Sequence, residues 1–318
     1  MNKYILLLAA MALPLLGNAQ LKAEKQTYGQ YAVVFGMTSN PDIPATINFA
    51  GQTISFDRID MAERLDRELT SIIYGQTNTL LCFKRANRHF PMLAKILQSE
   101  GVPLDLLYLA CTESLMDVNA YSSAHAAGLW QLLAATGRQY GLEVNDDVDE
   151  RYDPERSTMA ACYYLKSAYK KYGDWPTAAA SYNAGMGRIS GEQSKQGVES
   201  SFDMHLVSET SRYVFRILAY KLVFEDPKRY GYRLHADQLY QPVECKTVEV
   251  NGSVSSWAAW AKQQGITYAQ LREANPWIRS SKLTNTSGKT YKVRIPLESS
   301  LYRSKRKVTV YNPAWVVK

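Results

Sequence analysis

One helical period runs through the middle of this chain. From Asp60 onward apolar residues recur three to four apart, with Met61, Leu65, Leu69, Ile72 and Ile73 on the first such face and Asp60 and Glu63 spaced as an N-cap and its N3 partner. The same spacing predicts a helix over 79–98, bent at Pro91, and another that opens near Pro103, a favourable first helical position. Further helices are expected over 128–140, 157–172, 176–184 and 208–224, the helix over 157–172 capped by Ser157. A chain that repeats this pattern buries its core between helices, so the fold class is mainly α. Residues 190–205, SGEQSKQGVESSFDMH, are polar and aperiodic and read as a surface loop. After Pro227 the composition shifts. Residues 246–297 then give a strand, two short helices separated by Gly265, and a second strand, with Thr267 and Gln270 as a capping box: a small βααβ unit.

The 318 residues, 46% of them hydrophobic, suffice for one sizeable core and a smaller module. The first nineteen place one Lys ahead of an apolar run that falls short of the roughly 20 residues a spanning helix needs, and end in Gly17-Asn18-Ala19. They read as a signal peptide that directs the chain across the inner membrane to the periplasm or cell envelope, with no transmembrane segment after cleavage. The formal charge of +7, or +6 without Lys3, favours an anionic polymer or surface, and no nucleic-acid motif accompanies it. Cys82, Cys111, Cys162 and Cys245 match no metal or redox spacing, and the first three lie in apolar helical runs as buried thiols would.

The residue that stands out chemically is Glu113, at the end of the run VPLDLLYLACTES. It follows Leu106 by seven positions and Leu109 by four, so it continues an apolar helix face. No Lys or Arg occurs between Lys95 and Arg138. A desolvated carboxyl with no cation nearby keeps its proton to higher pH, which suits a general acid working near neutrality.

Its neighbours form an ordered set: ES at 113–114, Ser122, GLWQ at 128–131, ASYNAGMGRI at 180–189 and ETSRYV at 209–214. Together they resemble the lytic transglycosylases of the lysozyme superfamily, and DERYDPERSTMAACYYL at 149–165 narrows the resemblance to the membrane-bound lytic murein transglycosylase D group. The resemblance implies a goose-type, lysozyme-like helical domain over 85–230, behind an N-terminal helical extension over 20–84. It implies that Glu113 is the sole catalytic acid and base, that Ser122, Gln131, Tyr182 and Asn183 line the glycan cleft, and that Glu209 orders the site from behind. The βααβ unit, taken as 244–298, is similar to a LysM domain. It has Gly252-Ser253-Val254 where that family usually turns on Gly-Asp-Thr, and Trp260 and Trp277 are its candidate sugar platforms, Trp257 fitting a core position better. Residues 299–318, with RSKRK at 303–307, read as a solvated basic tail.

The activity implied is scission of peptidoglycan glycan strands between N-acetylmuramic acid and N-acetylglucosamine, closing a 1,6-anhydro ring with no metal and no cofactor. A muramidase that uses water on the same fold, and a peptidoglycan-binding protein without turnover, are the alternatives. Asn145, Asp147 and Asp149 alternate as in a calcium loop, but Glu150 stands where that loop needs Gly and Arg156 where it needs Glu, so an Asp/Arg-braced loop is expected instead. Nothing in the sequence sets an oligomeric state.

Overall fold

The computed structural model describes residues 40–286 and 288–317; the signal-peptide reading of residues 1–19 and the start of the 20–84 extension lie outside them. A hairpin comes first, β1 (Thr46–Phe49) against β2 (Gln52–Ser55) in antiparallel register. Its two-residue turn needs both Ala50 and Gly51 at positive φ, 53° and 84°. Asp105 accepts the Ala50 amide at 2.6 Å and fastens this turn to the helices.

Eight helices follow: α1 (Ile59–Tyr74), α2 (Gln76–Ser99), α3 (Leu107–Ser114), α4 (Ala134–Gln139), α5 (Pro154–Tyr172), α6 (Trp175–Ala184), α7 (Met186–Gln196) and α8 (Ser208–Glu225). The most enclosed of them is α8, which buries residues on every side, from Thr210 through Tyr213, Phe215 and Leu218 to Phe224. It packs on α1, α3 and α6, so the helix that precedes the expected catalytic domain shares one core with it.

Four local expectations change. Asp60 is not the N-cap of α1: Arg58 holds that position, and Asp60 sits in the first turn, where its carboxylate pairs with the Arg58 guanidinium at 2.9 Å. Ser157 does not cap α5 either. Asp153 does, accepting the amides of Glu155 and Arg156 at 2.9 and 3.0 Å, with Pro154 as the first helical residue. The segment 128–133 is a turn and bridge structure, helical only from Ala134, because Gly128 and Gln131 both take positive φ, 78° and 45°. The polar stretch 190–205 is helix as far as Gln196, and α7 stops at Gly197 in the left-handed conformation.

The C-terminal unit has the expected order: β3 (Cys245–Val250), α9 (Trp257–Gln263), α10 (Tyr268–Ala274) and β4 (Tyr291–Pro296), with β3 and β4 antiparallel from Cys245↔Pro296 to Val250↔Tyr291. The Thr267/Gln270 capping box is formed in both directions. Trp257 and Trp277 are 0% and 4% exposed, and Trp277 stacks on Tyr291 with ring centroids 5.5 Å apart. These two indoles are core, which removes Trp277 as a sugar platform; Trp260 alone is partly exposed.

This unit is fastened to the loop that leads into α5. Val148 bridges to Ile278 and is buried in the small unit's core. Asp149 N–H donates to the Trp277 carbonyl, and Arg279 N–H to that of Asp147, each at 2.9 Å. Lys289 reaches Glu143 and Glu150, both at 2.9 Å, and Arg294 reaches Asp153 at 2.9 Å. Three carboxylates of the helical unit therefore depend on two cations of the small one. Truncation before Lys246 leaves Val148 uncovered and takes the Lys289 and Arg294 cations away from those carboxylates, Glu150 keeping only Arg156 at 3.5 Å. It is expected to lower the melting temperature of the helical unit. A truncated protein with unchanged melting temperature shows the contact to be passive.

The chain end returns to the helical core. Residues 303–307 lie at the surface, but Trp315 is 2% exposed, edge-on to Phe83 and Phe224, and donates its Nε1–H to the Phe224 carbonyl at 2.7 Å. The tail is therefore not solvated throughout: its basic stretch is at the surface and Trp315 is in the core.

Candidate functional site

Helix α3 ends one residue after Glu113. Leu115 and Met116 both take left-handed conformations, φ 52° and 60°, which no α-helix continues through. Ser114 ties the stopped end down, its Oγ donating to Leu129 O at 2.8 Å. Glu113 is thereby held at a helix terminus, against the loop 120–132, with its side chain only partly exposed.

The partner of Glu113 comes from α8. The Tyr213 hydroxyl donates a hydrogen bond to Glu113 Oε1 across 100 residues of chain. Burial pushes the Glu113 carboxyl up to about 7, and the negative charge of Glu209 pushes the same way; the Tyr213 bond and the positive charge of Arg216 act against them. Tyr213 and Tyr182 both have their phenols pushed well above the usual range, first by burial and then by the charge of Glu113, so they stay protonated donors. The sequence-local lack of cations around Glu113 is thus offset in part by Arg216, which the fold brings in from α8.

The residues expected from the sequence fall into two groups. Tyr182 and Glu209 lie within electrostatic reach of Glu113, Glu209 on the exposed first turn of α8. Tyr182 donates to the Trp130 carbonyl at 2.7 Å and so joins α6 to the loop. Ser122, Gln131 and Asn183 make their recorded bonds elsewhere. Ser122 Oγ accepts the Ala126 amide at 3.1 Å within a tight hairpin, and Gln131 Nε2 donates to the carbonyls of Gly128 and Ala120 at 2.9 and 3.2 Å. Asn183 Oδ1 accepts the Thr210 hydroxyl at 2.9 Å, joining the end of α6 to the start of α8.

The loop is shaped by Arg151, a residue the sequence reading used only as a brace. Arg151 is buried, paired with Asp149 at 2.7 Å, and donates to the carbonyls of His125 and Leu132 at 2.9 and 3.1 Å. Trp130 is fully buried, its Nε1–H on Thr158 Oγ1 at 2.8 Å. The Asp149–Arg151 pair is the expected Asp/Arg brace, and Asn145 and Asp147 serve as backbone acceptors, for Val148 at 2.8 Å and Thr284 at 2.9 Å. Among the described residues no group of three His, Cys, Asp or Glu side chains is placed to hold a metal ion.

Residues 91–205 match the family model of the transglycosylase SLT domain, and residues 246–299 match that of the soluble lytic transglycosylase C-terminal LysM-like domain. The helical unit carries an SLT domain. The chain is 32% identical over 217 residues to membrane-bound lytic murein transglycosylase D of Escherichia coli K12, a match that covers 67% of this chain and 47% of that protein. It is 35% identical over 130 residues to peptidoglycan transglycosylase gp16 of phage T7, covering 40% of this chain and 10% of that one. The chain spans about half the length of the first of these relatives. Among solved structures, a soluble lytic transglycosylase of Escherichia coli aligns with a TM-score of 0.41 and 19% identity over 53% of this chain and 30% of the other. The SLT match takes in Glu113, Ser122, Gln131, Tyr182 and Asn183 and stops short of α8, which supplies Glu209 and Tyr213 to the same site.

Sequence reasoning quoted ETSRYV without singling out Tyr213. Tyr213 lies four residues after Glu209 and three before Arg216, so the three share one face of a helix.

Proposed function

We propose that this protein is a peptidoglycan lytic transglycosylase of the cell envelope, cleaving the β-1,4 bond between N-acetylmuramic acid and N-acetylglucosamine with Glu113 as acid and then base. The observation that carries the reading is the Glu113 carboxyl at the blunt end of α3, in reach of the cleft loop and held by the Tyr213 phenol, with burial raising its proton affinity. At neutral pH such a carboxyl has a proton to give to the departing glycosidic oxygen. Once it has given it, the Tyr213 hydroxyl steadies the carboxylate, which takes the proton of the muramyl C6 hydroxyl as that oxygen closes on C1. One residue serves both halves.

A glycosidase that used water would need a second carboxylate as nucleophile or base. Asp117 is paired with Arg85 at 2.8 Å and Asp149 with Arg151, which leaves Glu209, on the exposed first turn of α8, as the carboxylate that the product test must exclude from that role. In the cleft, Ser122 and Gln131 keep the 120–132 loop in shape, and Tyr182 and Asn183 line the wall that α6 presents. Glu209 raises the proton affinity of Glu113 from the first turn of α8.

Products carry the decision. Digested sacculi are expected to yield muramyl ends one water lighter than a reducing end and inert to borohydride, seen by mass spectrometry. Predominantly reducible ends would instead establish a muramidase. Turnover should also fall on the alkaline side as pH passes about 7, where Glu113 loses its proton.

A further inference from the structure

The buried face of α1 carries a carboxylate. Met61, Leu65, Leu69 and Ile72 make that face apolar, and Glu68 lies among them with no exposed surface. A carboxylate taken out of water in this way is retained only with cations against it. Here α8 provides them: Arg212 Nε sits 2.5 Å from Glu68 Oε1 and Arg216 Nε 2.9 Å from Oε2, with Arg67 of α1 at 3.3 Å as a third, solvated neighbour. Arg212 and Arg216 are four residues apart, so one carboxylate spans two successive turns of α8. Between them lies Tyr213, whose hydroxyl holds Glu113.

We propose that Glu68 is a positioning residue for the reaction: its buried carboxylate holds Arg212 and Arg216 of α8 and so limits the pull of the Arg216 guanidinium on Glu113. The proposal rests on the reading of Glu113 as the acid. The charged and titratable groups recorded against Glu113 are Tyr213, Glu209 and Arg216 from α8 and Tyr182 from α6, and Arg216 is the one cation among them. An Arg216 anchored and neutralised by Glu68 leaves the carboxyl protonated. An Arg216 released from Glu68 carries a charge that no carboxylate offsets and favours the ionised form of Glu113. The residue preceding the SLT match thereby sets the protonation of the group within it, which gives the α1 segment a part in the chemistry and not only in the core.

Carboxyl-carbon NMR titration of the full chain tests this, with the Glu113 signal assigned by its loss in Glu113→Gln. Glu68→Gln is expected to lower the Glu113 midpoint by about one pH unit, Glu68→Asp, which keeps the charge, to leave it nearly in place, and Arg216→Gln to raise it. The alkaline limb of kcat/KM should move with the midpoint in each variant. A midpoint unmoved in Arg216→Gln overturns the proposal even if Glu68→Gln fails to fold, and so does a shift of the same sign in the two variants. Midpoints that move as expected while the alkaline limb stays still would uphold the control of Arg216 by Glu68 but remove Glu113 as the acid, and with it the role of Glu68 in the reaction.

Discussion

Glu113→Gln is expected to abolish digestion of purified sacculi while the protein stays folded and still binds glycan. Loss of a general acid costs roughly a hundredfold to ten-thousandfold in rate, and more where the same group is also the base. The change is nearly isosteric, and Tyr213 can still donate to the amide oxygen. Stability should respond in a direction opposite to activity. Because the folded-state carboxyl holds its proton up to about 7, the native protein binds a proton that the unfolded chain has already released over the range from ordinary carboxyl values to that point. Wild-type stability therefore declines as pH climbs through this window, and the non-titrating Gln escapes the decline. The variant should equal the wild type near pH 4 and exceed it above pH 7, as read from denaturant midpoints across pH (roughly the span the carboxyl shift defines). Near-normal sacculus digestion by this variant would falsify the assignment of Glu113.

Gly128→Ala is expected to be the most damaging single methyl in the cleft. Gly128 sits at φ 78°, and a Cβ there would lie 1.9 Å from the Arg151 carbonyl oxygen and 2.8 Å from its carbon. Those are backbone atoms, so no rotamer change relieves the clash, and the φ adds strain of its own. A cost of about 3 kcal/mol or more follows. The displaced segment is the one that gives Trp130 O to Tyr182 and Leu132 O to Arg151, so turnover should fall together with stability. Gly141, whose φ is 85° with nothing within 4 Å of its added Cβ, serves as the control: Gly141→Ala bears the backbone strain alone. Equal melting temperatures for the two variants would show that the loop gives way at Arg151 and that the close approach is not required.

Where the sequence signal was local, it carried through. The apolar run ending at Glu113 is α3, the Thr267/Gln270 pair is a working capping box, and the βααβ order of the small unit appears with β3 and β4 in register. Cys82, Cys111 and Cys162 are buried free thiols, as their helical settings imply. The misreadings share one cause. Apolar residues at 129, 130, 132 and 133 mimic a helix face, yet two positive-φ residues break the chain there; Leu129, Trp130 and Leu132 are buried by a turn folded over Arg151, and Leu133 is exposed. Periodicity reports that a residue is apolar at a given angle, and several backbones can satisfy it. Trp277 makes the same point from the other side: its indole reads as a sugar platform, and only the fold shows it stacked on Tyr291 in the core.

From the sequence alone came a mainly helical chain with a small βααβ module, and a carboxylate at the end of an apolar helix with no cation among its sequence neighbours. What the tertiary structure decided is the state of that carboxylate. Burial raises its proton affinity, and Tyr213, Glu209 and Arg216 tune it from a helix about 100 residues away, with Arg216 itself held by Glu68 of α1. Helical spacing is a property of neighbours along the chain, so it can be read from the order of residues. Electrostatic interaction and desolvation depend on distance and surroundings in space, and those exist only once α1, α3, α6 and α8 have packed together.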